Sequence, residues 1–308
     1  MNKTLAELFQ EYINESQYSV GLRPETLKGY RAVFDHFSTI MPEIINVELL
    51  TTENLNEFFK RIRLRSRIVG RDTIKVGLED STIKTYGSKL NVFFVWLMRR
   101  GLLQNNPLTY IKLKQPVYKD KRALSKGDIL KIHAAIALHS KGLLFVRDRM
   151  MVSILFYCGL RKTELMLLRV TDIDLVKNQL TVRAETSKSK KTRILPMNPT
   201  LVLHVKEYLK ERKLAGKRNE SLIVSTEQDK GLSSHGLKHW VERLRKKSGV
   251  RFHLHQFRHS FASGLGSADV GATKIQALMG HTDPRMTQVY LRSITCEDLR
   301  ADICKLSL

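Results

Sequence analysis

A mainly α-helical fold in two domains is the expectation for this chain, and three observations carry it. Its 308 residues suit about two domains of ordinary size. Apolar residues recur at helical spacing, as in Leu55, Phe58, Phe59 and Ile62 or Ile83, Tyr86, Leu90, Phe93, Phe94 and Leu97. Strand-like alternation is confined to Leu180, Val182 and Ala184 and to the apolar run from Arg193 to Met197, which suits two strands of a small antiparallel sheet.

Taken in order, the first domain (1–107) holds four helices near 4–16, 23–40, 51–64 and 80–100. Pro24 sits where a first helical turn tolerates it, and Asn106-Pro107 follows the last helix. Between the third and fourth lies RSRIVGRDTIKVGLED, which has two glycines, a basic excess and no helical stripe, so a loop is expected; a phosphate contact and plain solvation are both open to it. From 108 to 122 no apolar face repeats, and Lys112, Lys114, Lys119, Lys121 and Arg122 gather around Pro116, so this stretch reads as a basic linker. A second domain (123–308) begins where Ser125 and Asp128 make a capping-box start. Its helices are expected at 125–137, 143–158, 161–168, 199–213, 234–247, 257–265, 271–279 and 284–290.

Charge sorts the possible partners. Lys and Arg number 53 against 30 Asp and Glu, a net charge of +23, and the isoelectric point is near 10.0. Such an excess favours a polyanion, nucleic acid before membrane surface. A hydrophobic content of 42% argues against wholesale disorder. The longest apolar run, Met150 to Leu160, has 11 residues between two arginines and is too short for a bilayer. The amphipathic start lacks the continuous apolar core of a signal peptide, so a cytoplasmic protein is expected, nucleoid-associated if prokaryotic. Cys158, Cys296 and Cys304 form no Cys-x-x-Cys pair, so neither disulfides nor structural zinc is expected.

Five stretches could carry chemistry. In Cys158-Gly-Leu-Arg-Lys-Thr-Glu-Leu165, Arg161 and Glu164 share a helix face, where the glutamate can hold the guanidinium fork toward a phosphate; a surface ion pair is the other reading. Thr186 to Pro196 reads as a lysine-rich hairpin tip, able to offer a proton to a departing alkoxide or simply solvated. His255 and Arg258, three apart, can grip one phosphate, or be a packed histidine beside an exposed arginine. His281 follows a helix-ending glycine, and Tyr290 lies nine residues on; alone, that tyrosine reads as packing. Apart from these five, the helix at 234–247 offers Lys238, Arg243, Arg245, Lys246 and Lys247 beside Trp240, either along a DNA groove or as a solvated basic face.

In this order, two arginines, a hairpin lysine, two histidines and a late tyrosine resemble the tyrosine recombinase (phage integrase) family over almost the whole chain. Residues 159–165 reproduce its Gly-Leu-Arg-x-x-Glu-Leu segment, so Arg161 takes the role of the first arginine. The family lysine lies five residues before the arginine of an Arg-x-x-Pro strand, here Arg193, which picks out Lys188, with Lys190 and Lys191 close by. His255 and Arg258 match the His-x-x-Arg box, and His281 the Leu-Gly-His element with Met279 in place of leucine. Tyr290 matches the nucleophile.

The resemblance implies a SAM-like four-helix core-binding domain and a catalytic domain of the DNA breaking-rejoining fold, closing on the duplex as a clamp. It implies a site-specific recombinase without metal or other cofactor, acting through a 3′-phosphotyrosine and a Holliday junction. Glu164 would buttress the active-site histidine or arginine. DNA contacts would come from Lys112, Lys114, Lys119, Lys121, Lys238 and Arg243. The partners implied are double-stranded DNA with paired sites, three further copies of the chain, and possible accessory factors that bend DNA or set direction. The segment from Thr295 to Leu308 would dock on a neighbouring copy or pack on its own domain. Two other readings keep the chemistry or the clamp alone: a type IB topoisomerase-like enzyme and a noncatalytic DNA-binding regulator.

Overall fold

The computed structural model describes residues 3–69, 73–115, 123–187 and 189–280. The chain divides into two compact units, Met1–Lys119 and Asp120–Leu308. Both are mainly helical, with small antiparallel sheets.

In the first unit four helices, α1 (Leu5–Tyr18), α2 (Pro24–Ile40), α3 (Thr52–Leu64) and α4 (Asp80–Arg99), form at the stretches read from periodicity. Thr4 starts α1 with a capping box: its hydroxyl accepts from the Glu7 N–H and the Glu7 carboxyl accepts from the Thr4 N–H. Aromatic side chains lock the bundle. Phe9 stacks on Phe34 with ring centres 3.8 Å apart and meets Phe93 edge-on at 5.2 Å, while Phe37 meets Phe58 at 5.0 Å.

Two readings need correction here. The segment between α3 and α4, expected as a loop, is a two-stranded antiparallel ribbon of β1 (Ser66–Val69) and β2 (Thr73–Val76). Its alternation of Arg67, Ile68, Ile74 and Lys75 is a period of two, which the glycines and charges masked. The stretch expected as a linker is not free of the core in its described part, because Leu108, Ile111 and Leu113 pack on the first hydrophobic cluster. Those three apolar residues follow no regular period, so periodicity could not reveal them.

In the second unit α6 (Gly142–Cys158) is the central element. Met150, Met151, Val152, Ile154 and Leu155 lie all around its axis and are fully buried, as a helix apolar on every side requires. The apolar run that was too short for a bilayer is therefore the core helix of a domain. Around it pack α5 (Lys126–His139), α8 (Pro199–Leu214), α9 (Ser234–Ser248) and α10 (Leu254–Ser267), with the short helices α7 (Lys162–Met166) and α11 (Ala272–Met279). The Ser125–Asp128 capping box starts α5 as read. The sheet has three strands rather than two: β3 (Ile173–Asp174), β4 (Gln179–Val182) and β5 (Arg193–Pro196), in the order β3-β4-β5. The added strand pairs only Ile173 with Leu180 and Asp174 with Gln179, too short to show alternation. No helix among the described residues is long and apolar enough to cross a membrane. The helix expected at 284–290 and the segment from Thr295 to Leu308 lie outside the described residues.

Candidate active site

The site begins where α6 stops. Gly159 closes that helix in the left-handed region at φ +58°, and a Cβ there would lie 2.4 Å from Cδ1 of Phe261 on α10. Only glycine meets both demands, and the turn lets α10 approach the end of α6 closely. Two residues later Arg161 caps α7. Its backbone N–H donates to Glu164 Oε2 at 2.9 Å and its Nη1 donates to Oε1 at 2.8 Å.

Glu164 is 1% exposed and is the anionic centre of the site. Besides Arg161 it accepts from Arg193 on β5, through Nη1 at 3.0 Å and Nη2 at 2.7 Å, and Arg258 Nη1 stands 4.0 Å away. Burial pushes the Glu164 carboxyl up, but the hydrogen bonds and charge of Arg193, followed by those of Arg161, outweigh it and bring the group down to about 2. A single carboxylate thus faces three guanidinium groups among the described residues, so the cluster carries more positive than negative charge.

Arg258 is 1% exposed on α10 and ties three elements together. Its Nη1 donates to the Gly159 carbonyl at 2.8 Å and its Nη2 to the Met279 carbonyl at 2.6 Å. Arg193 Nε donates to the Leu278 carbonyl at 3.1 Å. Two cations therefore satisfy the last carbonyls of α11, where the helix dipole is negative. Gly280, at φ +63°, ends that helix against the Arg193 side chain, where a Cβ would sit 3.1 Å from Cδ. His255 is exposed one turn before Arg258, its ring edge-on to His259 at 4.9 Å.

Of the residues named from the sequence, the structure brings Arg161, Glu164 and Arg258 into one cluster and places His255 on the same helix as Arg258. Glu164, read as a buttress for histidine or arginine, buttresses arginines. Lys188, His281, Tyr290, Lys119 and Lys121 lie outside the described residues. On either side of Lys188, the hydroxyls of Ser187 and Ser189 pair at 2.9 Å. Arg193 is the site residue that sequence reasoning missed. It served there only as the marker from which Lys188 was counted, although an arginine amid an apolar strand signals a buried partner.

The groove candidates divide. Lys112, Lys114 and Lys238 are exposed, Lys114 with Nζ 3.4 Å from Asp80 and Lys238 3.9 Å from Glu242. Arg243, its side chain 31% exposed, pairs with Asp148, which is 0% exposed and also holds Arg147 at 3.1 Å. Trp240, read beside that basic face, is buried in the core. Both placements share a cause: on α9 the positions 237, 240, 241 and 244 form the buried stripe, and Arg243 flanks it.

Residues 123–295 match the phage integrase family. The tyrosine recombinase XerC of Psychromonas ingrahamii is 28% identical over 291 residues, covering 93% of this chain and 91% of the relative. That of Alcanivorax borkumensis is 32% identical over 217 residues, 70% of this chain and 69% of the relative. Among solved structures, the integrase of transposon Tn1549 in complex with transposon right-end DNA has a TM-score of 0.77 at 18% identity, covering 99% of this chain and 100% of that one. A lambda integrase dimer bound to a COC′ core site has a TM-score of 0.71 at 20% identity, covering 95% of this chain and 79% of that one. At these identities the solved structures speak for the fold, which is the same.

Proposed function

The chain belongs to the phage integrase family, and on that premise we propose that it is a site-specific DNA recombinase using Tyr290 as nucleophile. The observation that carries this reading is the Arg161–Glu164–Arg193–Arg258 cluster, a rigid cationic seat held by one buried carboxylate.

A DNA phosphodiester resists attack because its anionic oxygens repel the nucleophile and its alkoxide leaves poorly. Arg161 and Arg258 donate to the nonbridging oxygens and hold them more tightly as charge grows in the pentacoordinate transition state. Preorganised donors of this kind are each worth about 10²–10³ in rate. Glu164 and Arg193 position Arg161, so the fork does not have to be ordered when DNA arrives.

Tyr290 attacks phosphorus to give a 3′-phosphotyrosine while the P–O5′ bond breaks. A phenol with an ordinary pKa of about 10 must lose its proton near neutral pH, and His255 with the surrounding cations assists this. Lys188 gives the proton to the departing 5′ oxygen, and His281 donates to a phosphate oxygen. The covalent bond conserves the energy of the phosphodiester, so the 5′ hydroxyl of a second strand can reverse the step without a nucleotide cofactor, and the arginines supply the positive charge that a metal would bring. Strand exchange between paired sites then passes through a Holliday junction, within four copies of the chain on DNA. Phosphate contacts give most of the affinity, so binding falls steeply with salt.

The test uses a nicked suicide duplex carrying the cognate site. Wild type accumulates a covalent protein–DNA adduct and Tyr290→Phe does not; no adduct with wild type, or an undiminished one with the variant, refutes the reading. Relaxation of supercoiled DNA without any site would instead favour a topoisomerase-like enzyme, and salt-dependent binding without cleavage a regulator.

A further inference from the structure

The β1–β2 ribbon has charges where strand pairing disfavours them. Its register sets Arg67 directly opposite Lys75 and Ile68 opposite Ile74. Residues directly opposite on one face have Cβ atoms about 4.5–5.5 Å apart, and like charges there are destabilising. A lone two-stranded ribbon is marginal in water to begin with. This one gains little from packing, since β2 is exposed along its whole length and Ile68 is 74% exposed.

The neighbouring arginines show which cations are already neutralised. Arg61 pairs with Glu57 and Glu43, and Arg63 with Asp80. Among the described residues Arg65, Arg67 and Lys75 have no carboxylate partner, and Arg67 uses only Nε, which donates to the Gly77 carbonyl at 3.2 Å. That bond ties the Arg67 side chain to the Gly77 carbonyl, and the register sets Lys75 opposite Arg67 on the same face. The other face holds Ile68, Ile74 and Val76 and has no charge. The ribbon is thus two-sided, with repulsion concentrated on one side and, among the described residues, no carboxylate paired with it. A polyanion whose charges recur at short intervals relieves it, and the DNA backbone is one.

We infer that the ribbon is a DNA-gripping arm whose Arg67–Lys75 face binds the phosphate backbone outside the catalytic cluster. This rests on the chain acting on DNA, and goes beyond it in assigning the arm and its two contacts. Each phosphate neutralised contributes about −0.9 to the slope of log K against log[salt]. Replacing both residues therefore removes close to two units of slope.

The experiment measures anisotropy of a fluorescein-labelled mixed-sequence duplex across a salt series, because backbone contacts need no cognate site. Arg67→Thr/Lys75→Thr keeps good strand formers and removes the repulsion, so the melting temperature holds or rises while affinity falls about tenfold at low salt and the slope drops by about 1.8. Arg67→Glu sets a carboxylate opposite Lys75, which favours the ribbon and still weakens binding. Unchanged slope and affinity in both variants overturn the inference, including the case in which the Ile68 face serves a protein partner instead. If those variants bind normally yet wild type still forms the Tyr290 adduct, the arm is wrong and the recombinase reading stands.

Discussion

Glu164→Gln is the most direct probe of the cationic seat. The change removes one negative charge while keeping shape and part of the hydrogen bonding to Arg161 and Arg193. The folded carboxyl titrates at about 2 against an ordinary 4.5, so the charged form is favoured by 4.5 − 2, or 2.5 pH units. At 1.36 kcal/mol per unit this is about 3 kcal/mol of stability at pH 7. The sign is that of a depressed acid: the contribution is complete above pH 4.5 and is lost as pH falls toward 2. For a unit of this size the loss corresponds to roughly 6–12 °C in melting temperature. The two tryptophans make the assay specific, since Trp96 lies in the first unit and Trp240 in the second. In a Trp96→Phe background, urea unfolding followed by fluorescence reports the second unit alone. The difference between carboxylate and amide should be about 3 kcal/mol at pH 7 and shrink as the medium is acidified from pH 4.5. A difference below about 0.5 kcal/mol at pH 7 would refute the placement of the carboxylate among the arginines.

Gly159→Ala should cost about 2–4 kcal/mol in the same assay, because it adds a left-handed penalty to a clash with the Phe261 ring; a neutral result would mean that α10 does not approach the end of α6. Asp148→Asn leaves Arg147 and Arg243 without their buried carboxylate and should lower stability by about 3–5 kcal/mol, measured by urea unfolding. His204 is held down to about 4 by burial, followed by Arg149 and His133, and shares a 2.7 Å hydrogen bond with Ser153. The unfolded histidine takes up its proton first, so wild-type stability falls as pH drops from about 6.5 to 4, and His204→Gln should flatten that slope by about one proton. An unaltered slope would place the ring in water.

Much of the helical layout was legible because buried stripes such as Leu55, Phe58, Phe59 and Ile62 repeat at the helical period and were bounded by Pro24 or the Ser125 cap. The ribbon escaped notice because four-residue strands around glycine give too few repeats to outweigh their charges. At the site, Arg161, Glu164 and Arg258 were legible by type and spacing. What could not be read was which partner each would take, since the link from Glu164 to Arg193 joins residues 29 apart and that from Arg258 to Gly159 residues 99 apart. The partner of Arg243 was hidden for the same reason: a basic residue on an exposed-looking helix gives no sign of a buried aspartate 95 residues away.

Of the two arginines that finish α11, Arg258 holds the Met279 carbonyl with the same guanidinium group proposed for the phosphate. Under that proposal, binding the anion and ending α11 draw on one guanidinium group and are thermodynamically linked. On the proposed role of Arg258, a shift in how the phosphate sits would alter the hold on the Met279 carbonyl, and by reciprocity a change at that carbonyl would alter the grip on the anion. Cleavage competence and substrate occupancy would then be two readings of a single balance.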